Sequence, residues 1–247
     1  MSGAETWVIL GASSAIGRAF ARQAAQRGAD VILAGRDGPD LARTAADIGI
    51  ATGRQVLVAA FDALDSASHA ALAARIAPLP GLVNVALLFG IMPDQATMDA
   101  DPGQARACIE TGLVGAVSIL QTLAPGLEQR RGGVVVGFGS VAGDRGRLKN
   151  YVYGAAKAGL HTYLAGLRNR LGRHGVHVMT VKPGFVDTAM TFGLPGMFLV
   201  AQPEAVARAC LDAASRRRDV IYVPGFWWAI MAVIRAVPER VFKRLSI

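Results

Sequence analysis

The chain has 247 residues, 52% of them hydrophobic and 18% charged, which suits one α/β domain with a large sheet buried on both faces and excludes a disordered chain. Its net charge of +8 points to an anionic partner (a phosphate-bearing cofactor or substrate, an acidic carrier protein or a membrane surface) or to a plain compositional bias, and no motif points to nucleic acid. The two cysteines, Cys108 and Cys210, lie far apart and join no Cys/His cluster, so neither a metal site nor a disulfide framework is expected, only reduced thiols as in a cytoplasmic protein.

In chain order, short β-branched runs alternate with longer Ala/Leu-rich ones. Met1 to Thr6 has no basic region, and the apolar run that follows ends in a Gly turn, so it reads as a strand rather than a leader. Strands are expected at Trp7–Leu10, Asp30–Ala34, Gln55–Ala59, Leu82–Phe89, Gly133–Gly137, His177–Val181 and Asp219–Val223. Helices are expected between them, at Ile16–Arg27, Pro39–Ile50, Ser66–Ala77, Gln104–Glu128, Tyr151–His174 and Glu204–Ser215. The strands are continuously apolar, the pattern of strands covered on both faces. Strict alternation of strand and helix then predicts a doubly wound, Rossmann-like α/β fold of about seven parallel strands, a single domain over residues 1–247. No run reaches the roughly 18 uninterrupted apolar residues of a spanning helix. The longest candidate, Tyr222 to Val237, contains Pro224 and Arg235.

Ligands of such sheets bind beyond the carboxyl ends of the strands, and the motifs fall there. Leu10-Gly11-Ala12-Ser13-Ser14-Ala15-Ile16-Gly17 follows the first strand and opens a helix. Gly11 permits a tight turn and close approach of a phosphate, and Gly17 lets the helix pack against the strand. Gly11, Ser13, Ser14, Ile16 and Gly17 therefore form a candidate pyrophosphate cradle at a helix amino end. The tip of the second strand reads Gly35-Arg36-Asp37. A carboxylate at the tip would bind a ribose 2′-hydroxyl, whereas Gly35 followed by Arg36 favours a 2′-phosphate, with Asp37 one place late as a competitor.

Tyr153-Gly154-Ala155-Ala156-Lys157 places a phenol and an ammonium on one helical face. A nearby ammonium is expected to lower the phenol's pKa and so suit it to proton exchange with a carbonyl or alcohol oxygen. Ser140, at the end of the fifth strand, offers a hydroxyl to the same oxygen. Tyr151 has Ala155 four places on and no such partner. His174 and His177 flank a turn with no carboxylate or thiol beside them and read as surface and strand residues.

These motifs together resemble the short-chain dehydrogenase/reductase family, over the whole chain. The glycine loop resembles the family's Thr-Gly-x-x-x-Gly-x-Gly, with Leu10 for Thr and Ala15 for the middle Gly. The resemblance implies a nicotinamide cofactor, NADP(H) preferred and NAD(H) the second choice, and a Ser140, Tyr153, Lys157 catalytic group in which Tyr153 and Lys157 also contact the cofactor. It further implies cofactor contacts from Arg36, from Asp62 and Ala63 after the third strand, from Gly90, and from Pro183, Gly184, Val186 and Thr188 of the Pro-Gly-x-x-x-Thr segment. Two further segments depart. The family's Asn-Asn-Ala-Gly reads Leu87-Leu88-Phe89-Gly90, and the helix Asn that completes a proton relay through a water falls at Gly112.

Within the family, Phe61–Asp65 with Ser68-His69, Ser140–Arg147 running into Asn150–Gly154, and Val237–Leu245 are similar to the decaprenylphosphoryl keto-ribose reductases of actinobacterial cell-wall synthesis. That likeness implies reduction of a polyprenyl-phosphate keto-sugar or another bulky lipid-like ketone. The segment 224–247 carries Phe226-Trp227-Trp228, an apolar run and Arg235, Arg240, Lys243 and Arg244, a pattern that suits either peripheral contact with the inner face of a membrane or the interface of a homodimer or homotetramer. The competing expectations are an acyl-carrier ketoreductase and a nucleotide-binding scaffold or sensor with weak catalysis.

Overall fold

The computed structural model describes residues 5–193 and 197–245, so the first four residues and the last two of the tail lie outside the described residues. Seven strands form one parallel sheet: β1 (Glu5–Leu10), β2 (Asp30–Gly35), β3 (Val56–Ala60), β4 (Leu82–Leu87), β5 (Val134–Phe138), β6 (His177–Pro183) and β7 (Val220–Val223). Their spatial order is β3-β2-β1-β4-β5-β6-β7. The order reverses between β1 and β4, which pair from Glu5 with Leu82 to Leu10 with Leu87 and so open a crevice at their carboxyl ends.

Strand residues alternate between two cores, which is why the runs are apolar throughout. Trp7 and Ile9 of β1 face one layer, with α1 (Ala15–Gln26), α2 (Gly38–Thr52) and α8 (Pro203–Ser215), where Phe20, Leu41, Ile48 and Val206 are buried. Val8 and Leu10 face the other, with α3 (Ser66–Ile76), α6 (Gly115–Arg130) and α7 (Tyr151–Gly172), where Leu72, Ile119, Leu120 and Leu164 are buried. Helix starts follow capping chemistry: the side chains of Ser14, Asp37 and Asp65 accept from Gly17, Asp40 and Ala67 amides of α1, α2 and α3.

The helix expected at Gln104–Glu128 is longer and not uniform. A short α4 (Gln95–Ala100) precedes it, and α5 (Pro102–Ile109) runs into α6 through a wider π-helical turn, Glu110–Val114. The whole stretch Pro102–Arg130 is long and apolar enough to cross a membrane by length and composition. Its buried face, including Leu123 and Leu127, is part of the second core, the position of an internal helix. The chain closes with α9 (Trp227–Ala236) and α10 (Glu239–Phe242).

Candidate active site

At the crevice lies a cavity of about 450 Å³. Ser13, Ser14 and Ile16 line it from the amino end of α1, and Gly90 from the loop after β4. Ser140 lines it from the end of β5, Tyr153 and Lys157 from α7, and Pro183, Gly184, Val186 and Thr188 from the end of β6 and its loop. The sequence-predicted residues are thus brought together, with five exceptions outside the lining: Gly11, Gly17, Arg36, Asp62 and Ala63.

The glycines stand behind the cradle. Gly11 has φ +84°, and a Cβ there would lie 2.8 Å from the backbone of Leu88, so β1 and β4 can meet at the crevice only with glycine in this place. Arg36 is exposed at the tip of β2. Asp37 is engaged in capping α2, accepting from the Asp40 amide at 3.0 Å. The Asp62 carboxylate holds its own turn, accepting from the Leu64 amide at 2.9 Å. The amino end of α6 packs against Ala63: a Cβ on Gly115 would lie 2.4 Å from the Ala63 carbonyl oxygen.

Tyr153 and Lys157 share one face of α7 and are both buried, 7% and 5% exposed. Lys157 Nζ donates to the Phe138 carbonyl at 2.9 Å and lies 5.7 Å from the Tyr153 ring centroid. Ser140 has an extended backbone and caps a short turn at Val141–Asp144, its Oγ accepting from the Ala142 amide at 3.1 Å. The expected lowering of the phenol is corrected here. Burial pushes Tyr153 up to about 12, and although the Ser140 hydroxyl and Arg147 pull the other way, they do not cancel it. Burial likewise brings Lys157 down to about 8. The ammonium spends its hydrogen bond on a carbonyl rather than on the phenol oxygen, so desolvation dominates both groups.

A family model described as short chain dehydrogenase matches residues 5–195. The chain belongs to the short-chain dehydrogenase/reductase family. An uncharacterized oxidoreductase of Mycobacterium tuberculosis is 38% identical over 245 residues, 99% of this chain and 98% of that protein. One from Streptomyces coelicolor is 35% identical over 243 residues, 97% of this chain and 95% of its own length. Among solved structures, a short-chain dehydrogenase from Sphingobium yanoikuyae in complex with NADPH is 25% identical with a TM-score of 0.80, covering 95% of this chain and 97% of that one.

This short-chain dehydrogenase/reductase is an NAD(P)-dependent oxidoreductase, and its own residues fit such a cofactor. The positive end of α1 opens on the cavity, Gly90 with φ +152° leaves the approach to Lys157 free, and among the described residues no carboxylate lines the cavity. The family's relay position, Gly112, is buried in the π-helical turn, where a Cβ would meet only the Ala156 methyl at 3.6 Å.

Several residues at the site were assigned no role in the sequence. Asp144 accepts from Lys182 Nζ and from the Tyr222 hydroxyl, both at 2.6 Å, and so ties the Ser140 loop to β6 and β7. Arg145 donates to the carbonyls of Ile234 and Val237 at 2.5 and 2.6 Å, to Glu239 at 2.8 Å, and lies over the Phe242 ring. It clamps α9 and α10 onto the active-site loop. Trp227, read in the sequence with its aromatic neighbours as an interface residue, is 2% exposed and forms part of the cavity wall, while Trp228 is 65% exposed. Its indole occupies the place of a Gly184 side chain, since a Cβ there would lie 1.9 Å from Nε1. Arg147 and Asn150 also line the cavity. In the sequence they belong to the stretch that carries the branch resemblance, with no role of their own assigned.

Proposed function

We propose that this enzyme is an NADPH-dependent ketoreductase that converts a bulky ketone to its secondary alcohol. The observation that carries it is the gathering of Ser140, Tyr153 and Lys157 in one cavity beside the amino end of α1. When bound, the cofactor supplies the hydride that adds to the carbonyl carbon. Tyr153 donates the proton that the carbonyl oxygen requires, and its elevated pKa keeps it protonated and ready for the reductive direction. Ser140 orients that oxygen, Arg147 is the cation whose charge favours the phenolate as the proton leaves, and Lys157 stands one helical turn on along the same face of α7.

NADPH over NADH is supported by the exposed Arg36 after Gly35 and by the engagement of Asp37 in its helix cap. The NADPH complex of the Sphingobium yanoikuyae enzyme agrees with this choice. In this reading Asp62 and Ala63 hold the adenine end, and Pro183, Gly184, Val186 and Thr188 the nicotinamide end. Met92, Phe185, Met190 and Trp227 give the substrate side an apolar wall, which supports a lipid-like substrate such as a polyprenyl-phosphate keto-sugar. Exposed Phe226, Trp228, Val233 and Val241 beside the basic tail support contact with a membrane surface or a second subunit.

The test is NADPH oxidation over a panel of ketones, with Tyr153→Phe as control. The variant is expected to lose at least about 10²-fold in kcat while NADPH affinity stays within twofold. An equally active Phe variant would remove Tyr153 from the mechanism.

A further inference from the structure

Three buried polar atoms of cavity-lining residues lack partners among the described residues: Trp227 Nε1 in the wall beside Gly184, and two in the loop that follows Ser140. Arg147 Nε and Asn150 Oδ1 have no hydrogen-bond partner among the described residues, and both residues line the cavity with Ser140 and Tyr153. The rest of the loop is tied down, Asp144 to Lys182 and Tyr222, Arg145 to the tail. Arg147 forms no ion pair among the described residues, although Asp144 lies near enough to act on it through charge. Burial holds its guanidinium below its usual value, so the environment disfavours the charge it carries. A half-buried guanidinium with no counter-ion is costly unless a ligand supplies one.

The cavity meets that need from one side only. Arg147 and Lys157 are its charged lining residues, no carboxylate lines it among the described residues, and Lys157 is already bonded to Phe138. The cofactor's pyrophosphate does not fill the role, because its cradle is the α1 amino end after β1, whereas Arg147 lies in the loop between β5 and α7. We propose that Arg147, with Asn150, forms a subsite for an anionic group, carboxylate or phosphate, borne by the ketone close to its reacting carbonyl. The planar fork of Arg147 pairs with two anionic oxygens, and Asn150 Oδ1 accepts from a neighbouring hydroxyl. This subsite rests on the ketoreductase reading for its substrate, but its anion preference is measurable without turnover.

The probes are 4-acetylbenzoate, 4-acetylphenyl phosphate and the neutral 4-acetylbenzamide. Binding to the NADPH-loaded Tyr153→Phe protein is measured by calorimetry, and NADPH oxidation by the protein with Tyr153 intact. At least one anionic ketone is expected to bind about tenfold or more tightly than the amide, and Arg147→Met to bring that ratio to about one. The two anions distinguish a carboxylate from a phosphate site. Asn150→Asp is the second variant. Asn150 stands at the amino cap of α7 without a capping bond, where Asp is well tolerated, so the fold is kept while a negative charge enters the subsite. It too should lower the ratio. A ratio near one before substitution, or one unchanged by both variants, overturns the proposal. If the ratio behaves as expected yet no ketone oxidises NADPH, the anion subsite stands and the ketoreductase reading fails.

Discussion

The backbone amide of Ser140 donates to Nε2 of His161, 3.3 Å away. His161 lies four residues beyond Lys157 and eight beyond Tyr153, so one face of α7 carries Tyr153, Lys157 and the ring that fixes Ser140. The ring fills space left by two glycines: a Cβ on Gly139 would lie 2.1 Å from Nε2, and one on Gly143 2.7 Å from Cε1. An acceptor at Nε2 must be unprotonated. Burial, then Lys182 and Lys157, bring His161 down to about 4, with Asp144 opposing.

This gives the first prediction. Between the ordinary histidine value of 6.5 and about 4 the unfolded chain binds the proton and the folded chain does not. The stability tied to a neutral His161 is therefore complete above pH 6.5 and is lost as pH falls towards 4. The loss is on the order of 3 kcal/mol. Urea unfolding at neutral and acidic pH should show it, and His161→Gln, which keeps an acceptor that cannot titrate, should lose less. Equal losses in both proteins would assign the acid sensitivity to other groups.

Trp227 and Gly184 are matched in the same way. Trp227→Ala should destabilise the fold by about 3–5 kcal/mol, as expected for emptying a large aromatic site. Because the indole is also cavity wall, the variant should raise KM for bulky apolar ketones more than it lowers kcat. Gly184→Ala should do similar damage from the other side, since its methyl and the indole cannot share one place. Thermal unfolding and steady-state kinetics test both, and an unaffected Gly184→Ala protein would contradict the packing described.

The sheet was legible because each strand is a bounded apolar run, and the Ser140, Tyr153, Lys157 group because its spacing is fixed by one helix and one strand end. Other features have no local signature. The acid-base balance of Tyr153 depends on burial, which spacing does not report, so the phenol moved opposite to expectation. The aromatic tail read as a surface feature because nothing in Phe226-Trp227-Trp228 reveals that only Trp227 turns inward. The clamp by Arg145 joins residues about 90 positions apart and needed the fold to be seen. The π-helical turn around Gly112 likewise leaves the helical pattern of the sequence unchanged.

Cofactor choice turns on Arg36. Its guanidinium is exposed at the tip of β2, and the Asp37 carboxylate next to it is held in the α2 cap. Arg36→Glu should weaken NADPH binding by about tenfold or more, the scale of one charge-assisted contact exchanged for a repulsion, and leave NADH binding within about threefold. Fluorescence titration with both nucleotides measures it. Equal weakening for the two would remove Arg36 from recognition of the 2′-phosphate.

Gly112 separates backbone stability from chemistry. It is buried within a helical stretch, its φ is not among the positive ones, and a Cβ would make only an ordinary contact with Ala156. Glycine inside a helix costs about 0.5–1 kcal/mol relative to alanine, so Gly112→Ala should stabilise the fold by about that amount and leave kcat unchanged. Gly112→Asn places an amide at the family's relay position, beside Ala156, the residue before Lys157. If proton delivery to Tyr153 limits turnover, the Asn variant should raise kcat by about tenfold over the Ala variant, within the range for a positioned proton-transfer group. Comparing the two variants cancels the shared gain in stability. Identical kcat values would mean that Tyr153 is reprotonated by a route that does not pass residue 112, and the buried ammonium of Lys157, bonded to Phe138 and brought down to about 8, is the group next in line for that role.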